Sequence, residues 1–142
     1  MHPKNIIITG SGGFIGTNFR ASSPDCNFYR LTRDKSGEII ISLNQKKVKV
    51  KDLIGIEFTL LHLATFFSKK KNEKLNVRNG NIEFGKEVLA FVENLKIKKI
   101  VYTNTMYKFY KNEEIKNLEY TKSKILLSEY FEHYCKFKNI YY

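Results

Sequence analysis

Short apolar runs alternate along the chain with segments whose apolar residues return at helical spacing. Asn5–Thr9, reading NIIIT, is β-branched and closed by a glycine, the mark of a buried strand. Phe14–Ala21 continues as a helix. Asn27–Thr32, reached through a Ser22-Ser23-Pro24 loop, and Glu38–Leu43 (EIIISL) are the second and third predicted strands. Phe58–Ala64 (FTLLHLA) is the fourth. Ile82–Leu95 sets Ile82, Val88, Leu89, Phe91, Val92 and Leu95 on roughly one face, which predicts a long amphipathic helix. Lys99–Asn104 (KIVYTN) is a fifth strand, and Tyr120–Lys136 a second long helix with Ile125, Leu126, Tyr130, Phe131 and Tyr134 as its apolar stripe. The final residues, NIYY, read as the start of a sixth strand. Asn44–Gly55 fits two readings, since Val48 and Val50 alternate as in a strand while VKDLIG closes a short helix. Ser68–Lys74 is lysine-rich and reads as an exposed loop.

Strands that are apolar throughout, alternating with amphipathic helices, predict a parallel α/β sheet covered on both faces. At 142 residues the chain is one domain, residues 1–142, with a single layered core. No apolar run is long enough for a spanning helix, and MHPKNIIITG lacks the small-residue cleavage site of a signal peptide. Cys26 and Cys135 lie far apart and away from any metal-type cluster, so free thiols in a reducing cytoplasm are expected.

Charge changes this picture only slightly. The net charge is +11, which raises nucleic acid or an anionic ligand as partner. The excess is nearly all lysine spread along the chain, and the arginines are only Arg20, Arg30, Arg33 and Arg78. Surfaces that read bases or clamp phosphates use more arginine, so no nucleic-acid partner and no membrane partner is expected. An anionic nucleotide substrate would still gain from the positive field.

The glycine turn carries the first chemistry. TGSGGFIG, Thr9–Gly16, follows a strand and opens a helix, the context that a dinucleotide fingerprint requires. Gly10 permits the tight turn, Gly13 a close approach to a pyrophosphate, and Gly16 the packing of helix on sheet. The helix N-terminus offers unpaired N–H groups to phosphates. Cofactor choice is read at the end of the second strand, where an acidic residue binds a ribose diol and an arginine accommodates a 2′-phosphate. LTRD places Arg33 directly after the apolar run and Asp34 behind it. The expected cofactor is NADP, with NAD as the alternative.

These pieces together resemble the extended short-chain dehydrogenase/reductase family of nucleotide-sugar epimerases, dehydratases and reductases. TGSGGFIG is similar to the family's TGxxGFIG opening, and HLAT at His62–Thr65 to its HLAA motif, which lines the cofactor cleft. NIEFGKEVLAFVENLKIKKIVYTNT, Asn81–Thr105, resembles its helix-plus-strand segment, and Tyr120-x-x-x-Lys124 its YxxxK pair. The resemblance runs over essentially the whole chain and implies a Rossmann-like doubly wound sheet in three layers, cut after five to six strands. It implies Thr105, Tyr120, Lys124 and Asn81 as catalytic or proton-relay residues, with Asn76 and Asn79 competing for the last role. It implies a cofactor cleft of Gly10, Ser11, Gly13, Phe14, Ile15, Gly16, Arg33, Leu43, Leu63, Ala64, Thr65, Thr103, Tyr120 and Lys124. The interval between Thr105 and Tyr120 is shorter than in most members. NTMYKFYKNEEIKNLEYTKSK is more similar to the CDP-abequose and CDP-paratose synthases, reductases of a 4-keto sugar nucleotide. The C-terminal lobe that binds the sugar nucleotide in this family has no counterpart in the chain.

The implied chemistry is hydride transfer at a sugar carbon coupled to proton transfer. A phenol ordinarily titrates near about 10, and a neighbouring ammonium favours the phenolate. Residues at i and i+4 share a helix face, so Lys124 stands where it can tune Tyr120 as general acid or base and hold the nicotinamide ribose. Thr105 would position the substrate oxygen. His62 is expected to be buried at a strand end. Three readings follow: an NAD(P)-dependent sugar-nucleotide reductase or epimerase, a truncated dinucleotide-binding module without activity, and a basic binding protein that borrows the fold. A homodimer is a candidate assembly, because the open sheet edge beyond Tyr142 would need covering.

Overall fold

Three consecutive isoleucines fix the middle of the molecule. Ile7 enters one buried cluster while Ile6 and Ile8 enter a second, as the two-residue period of a strand demands. The computed structural model describes residues 4–67, 74–105, 109 and 118–142. In it β1 (Lys4–Thr9) is followed by α1 (Phe14–Ala21), β2 (Cys26–Arg33), β3 (Ile39–Leu43) and β4 (Lys46–Lys47). A 3₁₀ turn (Val50–Leu53), β5 (Glu57–His62), α2 (Lys74–Arg78), a π-helical turn (Asn79–Glu83) and α3 (Phe84–Val92) come next. β6 (Lys96–Tyr102) and α4 (Glu119–Lys138) complete the described elements.

The six strands form one sheet in the order β4-β3-β2-β1-β5-β6. β2, β1, β5 and β6 are parallel, and β1 lies where the chain switches from building one side of the sheet to the other. The larger cluster fills the face covered by α3 and α4, with Leu60, Val88, Val92, Leu127 and Phe131 at its centre. The smaller one, Ile6, Ile8 and Leu61, lies on the opposite face under α1, whose Phe19 ring meets Phe28 edge-on at 5.8 Å. Each of the expected α/β layers is therefore present.

Several boundaries differ from expectation for physical reasons. The third strand runs antiparallel to β2, pairing Arg33 with Ile39 and Tyr29 with Leu43. A parallel return needs a crossover of about a dozen residues; here only a tight turn is available. Asp34 closes it by accepting from Ser36 N–H at 2.9 Å and Glu38 N–H at 3.0 Å, and Gly37 takes φ +87°. Both readings of Asn44–Gly55 are realised in part, as the two-residue β4 and the 3₁₀ turn. β6 starts at Lys96, earlier than its apolar run, because Ile97 is already buried between exposed lysines. The predicted sixth strand appears as one parallel bridge, Lys99 to Tyr141, on the outer edge of β6. Most of the predicted loop Ser68–Lys74 lies outside the described residues, and Lys74 itself opens α2.

α4 carries the most informative correction. Its buried face is Thr121, Ser123, Lys124, Leu127, Phe131 and Cys135, whereas Leu126 and Tyr130 of the expected stripe are exposed. Counting apolar residues turns the helix the wrong way, since three of its first buried positions are polar. Both cysteines are free thiols; Cys135 is buried, and burial pushes its thiol up to about 11. Among the described residues no helix is long and apolar enough to cross a membrane.

Candidate functional site

The carboxyl ends of β1, β5 and β6 lie side by side in the sheet, and each leads into a segment singled out in the sequence. β1 opens into the Gly10–Gly16 turn, β5 into Leu63–Thr65, and β6 into Thr103–Thr105. In open α/β sheets this edge, at the switch in strand order, is where ligands bind.

The glycine turn is built by close packing. Gly10 sits at φ +66°, and a Cβ there would lie 2.6 Å from the Ala64 backbone nitrogen. A Cβ on Gly16 would lie 2.5 Å from the Gly10 carbonyl oxygen. Both positions are thus closed to larger residues by the fold itself. Gly13 differs: its Cβ would meet only the Gly10 carbonyl oxygen, at an ordinary 3.4 Å. Packing inside the chain does not require glycine at that position, and the backbone is open to an approaching ligand. Gly13 donates to Gly10 at 3.1 Å and its carbonyl accepts from Thr17, opening α1. Phe14 and Ile15 stand exposed on the first turn of that helix. Ser11 is buried, and its Oγ accepts from Arg30 Nε at 2.9 Å.

Thr9 ties the turn to β5. Its Oγ1 accepts from Ala64 N–H at 3.1 Å and shares a 3.1 Å hydrogen bond with His62 Nδ1. His62 is fully buried among the rings of Phe84, Tyr102 and Phe131, with no hydrogen-bond partner for Nε2 among the described residues. Burial, with the Lys124 charge adding to it, lowers its pKa to about 3. It is therefore a neutral packing residue, as expected.

Asn81 lies in the π-helical turn, a geometry often found at functional sites. Its Oδ1 accepts from Phe66 N–H at 2.7 Å and Thr65 Oγ1 at 3.2 Å. Its Nδ2 donates to the Phe66 carbonyl at 3.0 Å and to Ser123 Oγ at 2.9 Å. One buried amide thus clamps the segment after β5 to the first turns of α4. Ser123 in turn donates to the Tyr120 carbonyl at 2.8 Å. Sequence reasoning missed Ser123 and Arg30, which stand in no distinctive pattern, and assigned no role to Thr9 although it opens TGSGGFIG.

Tyr120 is half-buried on the first turn of α4, its ring edge-on to Phe67 at 5.0 Å. One turn on, Lys124 is buried, with Nζ 4.2 Å from the Tyr102 ring centre. Burial lowers its pKa to about 8. The Tyr102 hydroxyl donates to the Lys124 carbonyl, and burial, followed by nearby Tyr142 and Tyr120, holds that phenol above its ordinary range. Tyr102 is accordingly no competitor as an acid. Thr103 reaches the His62 carbonyl at 3.4 Å, and Thr105 is buried just beyond β6. Thr105 and Lys124 both belong to the small set of buried polar residues, which concentrates at this edge.

Two further residues of the expected cleft have other neighbours. Arg33 ends β2 but its guanidinium pairs with Glu87 of α3 at 2.7 Å and lies 5.0 Å from the Phe84 ring centre. Leu43 is not brought to the edge. Antiparallel β3 carries it back beside Tyr29, four residues before the end of β2. The segment most similar to the 4-keto reductases lies largely outside the described residues. Among the described residues no cluster of His, Cys, Asp and Glu could hold a metal.

No protein-family model matches the sequence, and no curated protein matches it. Solved structures do. UDP-N-acetylglucosamine 4-epimerase from Methanobrevibacter ruminantium, in complex with UDP-N-acetylmuramic acid, superposes with a TM-score of 0.73 at 19% identity, covering 99% of this chain and 53% of that one. UDP-glucuronic acid 4-epimerase from Bacillus cereus, in complex with NAD, gives 0.67 at 15% identity, with 96% and 53% covered. A short-chain dehydrogenase/reductase superfamily protein from Agrobacterium tumefaciens with bound NAD gives 0.60 at 20% identity, with 88% and 43% covered. The chain spans about half the length of these structures, and the likeness establishes its fold as a Rossmann-like α/β sheet.

Proposed function

We propose that the chain is the dinucleotide-binding part of an NAD(P)-dependent oxidoreductase of nucleotide sugars, with reduction of a 4-keto sugar nucleotide as its reaction. The observation that carries the reading is Lys124, buried one helical turn after Tyr120, beside the sheet edge from which the glycine turn, Thr65 and Thr105 follow. A buried ammonium is costly unless a partner offsets it. Among the described residues Nζ stands over the Tyr102 ring and pairs with no carboxylate. A ribose hydroxyl and a developing phenolate on Tyr120 are the partners this geometry can supply. The nicotinamide cofactor supplies the hydride when bound. Tyr120 delivers the proton to the substrate oxygen, Lys124 favours its ionised form, and Thr105 orients that oxygen. The open backbone at Gly13 and the first turn of α1 receive the diphosphate, and the net charge of +11 favours an anionic substrate. The UDP-sugar complex of the archaeal epimerase supports a nucleotide-sugar substrate.

NADPH oxidation with a 4-keto-6-deoxy sugar nucleotide tests this. Tyr120→Phe is expected to lower the rate by about 100-fold or more while NADPH still binds. Retained turnover in that variant would defeat the proposed acid, and NADPH binding without turnover in the native chain would leave a binding module.

NADP is the favoured cofactor. Asp34 is engaged by the β2–β3 turn, where Ser36 and the Glu38 N–H hold its carboxylate below the usual range. Arg33 is the arginine at that strand end, kept in place by Glu87. Arg33→Gln should weaken NADPH binding about tenfold and leave NADH nearly unchanged, whereas Glu87→Gln should tighten NADPH. Equal losses for both cofactors in Arg33→Gln would remove the assignment.

A further inference from the structure

We propose that the α1 face of the β2–β3 ribbon holds a second binding site, for a small phosphate-bearing metabolite, behind the glycine turn. The site exists because β2 returns directly into β3. A parallel sheet would lay a crossover helix over this face; the hairpin leaves it open beside the last turn of α1. The resulting cavity has a volume of about 330 Å³, at the lower end for small-molecule sites.

Its polar walls are amides and guanidiniums, with an apolar side. Arg20 enters from α1, Asn27 and Arg30 from β2, and Asn44 and Gln45 from the β3–β4 turn, with Phe28 as an apolar wall. Two guanidiniums and several amides line it, and no carboxylate does. Arg20 Nε is buried with no hydrogen-bond partner among the described residues. An anionic oxygen in the cavity would accept charge-assisted bonds from the guanidiniums that line it. Arginine carries five N–H donors in a fixed fork, and one of Arg30's goes to Ser11 Oγ at 2.9 Å.

The turn supplies an independent observation. Asn44 and Gln45 lie at φ +49° and +65°. Such turns favour glycine at the second position, and a left-handed glutamine is strained. Gln45 instead brings an amide to the cavity wall. Because Arg30 reaches both the cavity and Ser11, an occupant is linked to the glycine turn, and the linkage is reciprocal. Only that linkage to a cofactor rests on the dinucleotide reading; the cavity does not.

Titrating ¹⁵N-labelled protein with inorganic phosphate and, in parallel, ribose 5-phosphate, at fixed ionic strength, tests the site by amide shifts. Saturable shifts of Asn27, Asn44, Gln45 and Ser11 are expected, with ribose 5-phosphate the tighter ligand. Arg20→Gln should weaken binding about tenfold, while Lys35→Gln on the exposed β2–β3 turn leaves it unchanged. Gln45→Gly relaxes the turn and should also weaken binding, which keeps the test decisive if Arg20→Gln fails to fold. Unsaturable shifts scattered over the lysine-rich surface, or unaltered affinity in the Arg20 and Gln45 variants, would overturn the proposal. Equal affinity for the two ligands would overturn the metabolite assignment.

Discussion

Lys124→Met is expected to stabilise the fold at pH 7 by on the order of 3 kcal/mol while abolishing turnover. Lys124 is 2% exposed, and burial lowers its pKa from 10.5 to about 8. Its charged form is therefore disfavoured in the fold. The Tyr102 ring beneath Nζ returns only about 0.5–2 kcal/mol. Methionine keeps the stem and most of its volume without the charge. Between about pH 8 and 10.5 the unfolded chain holds the lysine proton more tightly than the folded one. Native stability thus rises with pH through that window, and the advantage of the variant is full below about 8 and gone near 10.5. Urea denaturation of both proteins across that range measures it. A methionine variant less stable than the native chain at pH 7 would make Lys124 a paired structural residue. The expected exchange of stability against activity is what a strained functional site predicts.

Lys124 also shows where the sequence was readable and where it was not. The strand–helix order, the glycine turn and the sheet edge that gathers Thr65, Thr105 and the Tyr120 helix were legible, because each rests on local apolar runs and glycines whose reasons lie within a few residues. Gly10 and Gly16 are required by contacts closer than 3 Å in the backbone packing. The rotation of α4 was not legible. Its buried Ser123 and Lys124 meet Asn81 and Tyr102, partners 42 and 22 residues distant in sequence. Long-range polar complementarity leaves no periodic trace in one sequence. The antiparallel β3 could have been read from chain length alone, since the stretch from Arg33 to Glu38 cannot hold a crossover helix. The same return sets Leu43 beside Tyr29, away from the end of β2. Arg33 was located correctly at its strand end, but Glu87 on α3 was invisible as its partner, 54 residues away.

Acid should unfold the protein earlier than its carboxylates alone would dictate, and His62 is the reason. Its pKa falls from 6.5 to about 3, chiefly because the ring is fully buried and secondarily because Lys124 is charged nearby. Protonation in place would put a second cation in a dry pocket. The surrounding rings, at 5.1–6.0 Å, offer about 2 kcal/mol at most. That is less than the cost of charging the ring where it lies, on the order of 5 kcal/mol. Between about pH 6.5 and 3 the unfolded chain binds the extra proton, so stability is full above about 6.5 and falls as pH drops, by roughly 1.4 kcal/mol per unit. Glu57, Glu132 and Asp34 are held below their ordinary values, so their contribution is full above about 4.5 and is lost only as pH falls from there. The window from about pH 6.5 to 4.5 therefore belongs to His62. His62→Gln keeps a hydrogen bond for Thr9 and removes the titration. Its stability, followed by urea denaturation at stepped pH, should stay nearly flat across that window while the native chain loses about 2–3 kcal/mol. Parallel slopes for the two proteins would mean that His62 charges without penalty. Because Thr9 joins His62 to the Ala64 backbone beside Gly10, acid opening should reach the glycine turn first, and ligand binding there should fail before the far side of the sheet unfolds.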